Sequence, residues 1–114
     1  MPSAQDLILA VDGGASKADL ALVSHLGKLV AAMRCPGSFH FGLDRTDPSE
    51  ALNHALMALR SAAGIAVEET AMAAIGVYCV AGADLPVDDR RISDTIRSRG
   101  WTARTIVRND AARS

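Results

Sequence analysis

The chain has 114 residues, 49% of them hydrophobic and 22% charged, with a formal net charge of -1. That makeup suits one globular core and excludes a disordered or fibrous chain. Lys and Arg are scattered instead of striped, which leaves no electrostatic footprint for nucleic acid or an anionic membrane, and no apolar run approaches the ~18 residues of a membrane span.

Residues 1–6 lack the basic flank and apolar stretch of a signal peptide, so a cytoplasmic protein is expected. Residues 7–11 are wholly apolar and end in Asp12-Gly13-Gly14. This predicts a buried strand, covered on both faces and stopped by a tight turn. Residues 18–24 and 28–35 are two further strand-like runs joined through His25-Leu26-Gly27-Lys28, a short link with Gly27 available for a positive-φ position. The first 35 residues therefore predict a three-stranded meander, with nothing long enough to hold a crossover helix. Residues 36–46 are polar, carry Gly37 and Gly42, and read as a loop.

Asp47-Pro48-Ser49-Glu50 supplies a capping residue, a proline at the first helical position and a Glu at the third, the signature of a helix start. Leu52, Leu56, Leu59 and Ala63 follow at helical spacing, and Gly64 is placed to end the helix. Residues 73–80 form another apolar run, read as a central parallel strand covered on both sides and ending at Ala81-Gly82-Ala83. Asp88 is placed to cap a second helix, with Ile92 and Ile96 one turn apart and Gly100 at its end. Residues 103–107 then predict a fifth strand that runs into Arg108-Asn109-Asp110. The fold class is α/β, a five-stranded mixed sheet of a three-strand meander followed by two parallel strands, with helices on its faces.

Two segments carry chemistry. In Asp12-Gly13-Gly14-Ala15-Ser16-Lys17 the paired glycines let the backbone approach an anion, Ser16 and Lys17 add a hydroxyl and a cation, and Asp12 would face a metal. The spacing fits neither a Walker loop nor a dinucleotide fingerprint, and an ordinary hairpin turn is an equal reading of these residues alone. In Asn109-Asp110-Ala111 a carboxylate stands at the switch from strand to helix, where ligands of open α/β sheets bind, although a lone Asp there is also a leading helix cap. If the first and fifth strands are parallel and flank residues 73–80, their carboxyl ends lie roughly 9–10 Å apart. One carboxylate could then serve a metal on the transferred phosphoryl and the other take a proton from the attacking hydroxyl.

Residues 9–23, with Gly27-Lys28-Leu29-Val30-Ala31 after them, resemble the opening of the BadF/BadG/BcrA/BcrD ATPase family, which includes eukaryotic-type N-acetylglucosamine kinase. The family's first loop usually reads Asp-Gly-Gly-Gly-Thr-Lys, which maps onto Asp12 to Lys17 with Ala15 and Ser16 as substitutions. Its strand-glycine segment is similar to residues 75–82, and its Asn/Thr-Asp-Ala segment to Asn109-Asp110-Ala111. The resemblance implies a ribonuclease-H-like, amino-terminal actin-like ATPase domain over residues 1–114, with a carboxy-terminal domain absent from this chain. It also implies ATP and Mg2+ as cofactors, Asp12 at the metal, Gly13, Gly14, Ser16 and Lys17 around the phosphates, and Asp110 as general base. Ser38, His40, Gly82 and Asn109 fall to the sugar substrate. Where the family's kinases commonly carry an Asn after the third strand, this chain has Gly37-Ser38-Phe39-His40-Phe41.

The expected function is phosphoryl transfer from ATP to a sugar or amino-sugar hydroxyl, in a full-length protein that forms a homodimer. Two rivals stay open. One is an ATPase that drives conformational change in a partner, as the family's dehydratase activators do, and the other is a non-catalytic binding or regulatory relative. Cys35 and Cys79 fit no metal-ligand spacing and read as reduced, buried thiols. His25 and His54 read as surface residues, His40 either as a solvent-facing loop residue between two anchoring phenylalanines or as a sugar contact, and Trp101 as packing at a helix end. The arginines and aspartates of residues 88–99 alternate at helical spacing and read as a solvated face.

Overall fold

The computed structural model describes residues 3–13, 17–36, 48–66, 70–80 and 86–109. Five strands, β1 (Leu7–Gly13), β2 (Lys17–Ser24), β3 (Leu29–Pro36), β4 (Ala73–Val80) and β5 (Thr102–Asn109), form one sheet in the order β3-β2-β1-β4-β5. The β1-β2 and β2-β3 pairs are antiparallel, whereas β4 is parallel to both β1 and β5. The meander and the two parallel strands expected from the sequence are therefore both present.

The hairpin between β2 and β3 turns on Gly27 at φ 88°, and the Ser24 amide donates to the Lys28 carbonyl at 2.8 Å. Helix α1 (Pro48–Ala63) links β3 to β4, and α2 (Pro86–Arg99) links β4 to β5. Each helix is followed by a glycine in the left-handed region, Gly64 at φ 74° and Gly100 at φ 66°, the conformation that closes a helical end without a Cβ clash. Helix α2 starts at Pro86, which places Asp88 inside the first turn instead of at the cap expected from the sequence. A proline at the first helical position has its φ already set and no amide to leave unpaired, so it outranks the aspartate as the start signal. A single 3-10 turn over Ala4–Asp6, where the Ser3 hydroxyl accepts from the Gln5 amide at 3.4 Å, precedes β1 and had no sequence signal strong enough to announce it.

From β1 to β4 to β5 the chain steps across the sheet in one direction, and two crossovers of one hand put α1 and α2 on one face. Leu52, Leu56 and Leu59 of α1 and Ile96 of α2 are buried there against Leu9, Val11, Leu20, Leu22 and Tyr78 of the strands. Full burial of each such side chain stabilises by roughly 1.5–3 kcal/mol. The helices are tied at their ends as well: Trp101 Nε1 donates to Asn53 Oδ1 at 2.8 Å, and Arg99 pairs with Glu50 at 3.5 Å. Trp101 is a packing residue, 4% exposed, and His25 and His54 are at the surface, as read from the sequence.

The opposite face of the sheet departs from the sequence reading. Residues 7–11 and 73–80 were expected to be covered on both sides. Among the described residues Ala10 and Asp12 are exposed, and Ile75, Val77 and Cys79 only half-buried. A continuous apolar run signals a two-faced environment but does not say which element supplies the second cover. The cysteines are likewise half-buried, not buried, and unbridged.

Within the core, Thr102 Oγ1 donates to the Arg104 carbonyl at 2.9 Å and lies 3.0 Å from the Tyr78 hydroxyl. Burial pushes the Tyr78 phenol up to about 12, against a smaller opposing pull from the Thr102 hydrogen bond. A raised folded-state value leaves stability intact below pH 10 and removes it above, because only the unfolded chain then ionises. Stability should thus fall by roughly 2–3 kcal/mol between pH 10 and 12 from this group. Tyr78 is the chain's only tyrosine, so tyrosinate absorbance reads it directly. A midpoint near 10 in the folded protein would contradict the assignment.

Candidate active site

Three parallel strands deliver the site. Asp12 and Gly13 end β1, Val80 ends β4 and Asn109 ends β5, and the registers Gly13↔Val80 and Val80↔Asn109 put these carboxyl ends level across the sheet. Two strand spacings separate β1 from β5, roughly 9–10 Å. Carboxyl ends of parallel strands are where α/β sheets collect ligands, because every connecting loop there can add a backbone or side-chain donor.

Side-chain alternation decides what faces where. Leu9 and Val11 point into the core, so Ala10 and Asp12 belong to the open face. Register partners carry that assignment across the sheet. Arg34 of β3, Asp19 of β2, Asp12 of β1, Cys79 of β4 and Arg108 of β5 form one transverse row. Next to it, on the amino-terminal side of β1, Ala32, Ala21, Ala10, Val77 and Ile106 form an apolar row. The members of the two rows from β3 to β4 bound an open trough of about 790 Å3, with Ala10, Ala21, Ala32 and Val77 on its floor and Asp12, Asp19, Arg34 and Cys79 at its charged end.

Within the charged row, Arg34 Nε donates to Asp19 Oδ1 at 2.6 Å, with a longer contact of 3.5 Å from Arg34 to the second oxygen. The hydrogen bond from Arg34 holds the Asp19 carboxyl below the usual carboxylate range, and the same bond raises the Arg34 guanidinium. Both side chains are exposed. Asp12 is exposed at the strand end and has no hydrogen-bond or ion-pair partner among the described residues.

Of the residues expected at the site, the structure brings Asp12 and Gly13 level with the backbone of Asn109, and places Lys17, exposed, at the start of β2 beside them. Gly14, Ser16, Ser38, His40, Gly82 and Asp110 lie outside the described residues. Asp19, Arg34, Cys79 and Arg108 share the face of Asp12 and were not expected at the site from the sequence. Period-two alternation carried through the hairpin would have found Asp19 and Arg34, since each strand of a meander repeats the parity of its neighbour once the register is known.

Among the described residues no group of three or more His, Cys, Asp or Glu side chains forms a metal cluster. The donor set of the row nevertheless fits a magnesium–nucleotide. Magnesium is held through one or two carboxylates plus substrate phosphates, and Asp12 offers one uncommitted carboxylate beside a strand-end glycine. No described helix is long and apolar enough to cross a membrane.

No protein-family model matches the chain, and no curated protein matches it. Among solved structures it is similar to one described as "Putative N-acetylglucosamine Kinase from Chromobacterium violaceum", with a TM-score of 0.66 and 17% sequence identity over 94% of this chain. The likeness shows a shared fold. The chain spans 36% of that neighbour's length.

Proposed function

We propose that the chain is the amino-terminal half of an ATP-dependent sugar kinase, transferring the γ-phosphoryl group to a hydroxyl of a sugar or amino sugar. The observation that carries this reading is the exposed carboxylate of Asp12 at the end of β1, level across β4 with the end of β5 that runs into Asp110. The fold of the kinase neighbour and the resemblance of residues 12–17 and 109–111 to kinase motifs support it.

In this reading Asp110 accepts the proton of the attacking hydroxyl. The oxygen of that sugar hydroxyl forms the new bond to the γ-phosphorus while the bond from that phosphorus to the β–γ bridging oxygen breaks and ADP leaves with it. Amides of Gly13 and Gly14, the Ser16 hydroxyl and the Lys17 ammonium cradle the phosphates, and Asp12 faces the cation. Magnesium, when bound, neutralises charge on the phosphate oxygens. Ser38, His40, Gly82 and Asn109 line the sugar side. A second domain, closing over the sheet ends, excludes water and completes the nucleotide contacts. A homodimer of the complete polypeptide remains part of the proposal.

The partner-driving ATPase reading is less well supported. Its relatives bridge an iron-sulfur cluster with cysteines, whereas Cys35 packs toward the core and Cys79 lies on the open face. Gly14→Val tests the phosphate role of the first loop, since a β-branched side chain bars backbone approach to an anion. It should weaken MgATP binding by ~10-fold or more, measured by titration calorimetry on the complete polypeptide, at the cost of about one charge-assisted hydrogen bond or more. Unchanged affinity would return the loop to an ordinary hairpin turn.

A further inference from the structure

We infer that Arg108 is a phosphate-binding residue of the same site, set across Cys79 from Asp12 so that the two side chains receive the opposite ends of a metal–phosphate pair. The inference rests on the nucleotide reading above. Register carries it: Asp12 is level with Cys79 and Cys79 with Arg108, so carboxylate and guanidinium stand on one face of the sheet at the carboxyl ends of two parallel strands that flank β4. Arg108 is exposed and has no ion-pair or hydrogen-bond partner among the described residues.

The row divides its charges unequally. Arg34 and Asp19 neutralise each other at 2.6 Å, which leaves Asp12 and Arg108 as the charges of that row without a described counter-ion. Their strands are roughly 9–10 Å apart, too far for the short aspartate to bond the guanidinium unless the arginine folds back over Cys79. A polyphosphate with its cation has the complementary pattern, positive toward Asp12 and anionic oxygens toward Arg108, and the planar guanidinium matches two phosphate oxygens at once. Cys79 between them is small enough to leave the gap open. Arg104, on the same strand and face, lies four residues before Arg108 and level with Ile75, outside the charged row.

The test is an NMR titration of the 15N-labelled complete polypeptide with MgATP, MgADP and Mg2+ alone, comparing wild type with Arg108→Ala, Arg108→Lys and Arg104→Ala. Wild type should show saturable nucleotide-dependent shifts at Asp12, Gly13, Cys79 and Arg108. Arg108→Ala should weaken MgATP and MgADP about 10-fold without changing the response to Mg2+ alone, as expected for loss of hydrogen bonds to a charged group. Arg108→Lys should recover part of that loss, and Arg104→Ala should bind like wild type. Equal affinity of Arg108→Ala and wild type overturns this inference and leaves the kinase reading standing. So does an equal loss in Arg104→Ala, which would mean a general charge effect. Absence of any saturable MgATP response in wild type overturns the nucleotide reading and this inference together.

Discussion

Gly76→Ala is expected to cost ~3 kcal/mol or more and to lower the melting temperature by roughly 10 °C or more. Gly76 sits mid-strand in β4, opposite Leu9 of β1 and Thr105 of β5, where a glycine has no turn to make. Its role is steric. A Cβ there would lie 2.6 Å from Thr102 Oγ1 and equally close to Cε2 and the hydroxyl oxygen of Tyr78. The Tyr78 ring lies back over the glycine of its own strand, two residues earlier on the same face. It cannot retreat cheaply, being fully buried with the Trp101 ring at a centroid distance of 6.1 Å. Relief of the clash must break the Tyr78–Thr102 hydrogen bond or shift β4 against its neighbours. Calorimetric melting of the variant checks this, and Tyr78→Leu in the Gly76→Ala background should recover part of the loss. A melting temperature within a degree or two of wild type would show that the ring has room the structure does not give it.

The second large effect concerns chemistry. Asp110→Asn in the complete polypeptide should cut phosphoryl transfer by ~10²-fold or more while leaving nucleotide affinity nearly unchanged, since a positioned general base typically contributes 10²–10⁴-fold. Asparagine keeps the shape and the capping ability of aspartate but has no carboxylate to take a proton. The pairing of the two readouts separates the roles. A cap alone predicts unchanged turnover, a phosphate or metal ligand predicts weaker binding, and a base predicts slow transfer with normal binding. Single-turnover transfer beside calorimetric titration of MgATP distinguishes the three.

Much of the fold was legible because local signals agreed with one another. Residues 73–80 were bounded as observed, the Pro48 start and Gly64 stop framed α1, with the expected cap at Asp47 outside the described residues, and Gly27 marked the hairpin. Parallel pairing of β1, β4 and β5 followed from the apolar runs and the intervening helices. The open face was not legible, since Leu-Ile-Leu-Ala-Val states that both faces of β1 are apolar without stating what lies on them. Nor was the charged row. Asp12, Asp19 and Arg34 are separated in sequence by a loop, a hairpin and an irregularity in the β2-β3 register at Leu22/Val23, and only the settled pairing aligns them. Asp12 was found from its loop motif, whereas Arg108 was passed over beside the more conspicuous Asn109-Asp110. Strand alternation places it on the face of Asp12, and no residue-type pattern announces that.

Sugar-dependent use of ATP is read most directly as ADP release by the complete polypeptide carrying residues 1–114, assayed with a panel of hexoses and amino sugars. Saturable ADP release that requires one of these sugars and Mg2+ is the expected result. Residues 1–114 alone, with half a cleft, should bind MgATP only in the millimolar range or weaker, about -4 kcal/mol at best, and show no sugar-dependent turnover. ADP release by the complete polypeptide that is indifferent to every sugar, or sugar-dependent turnover by residues 1–114 alone, would contradict this reading.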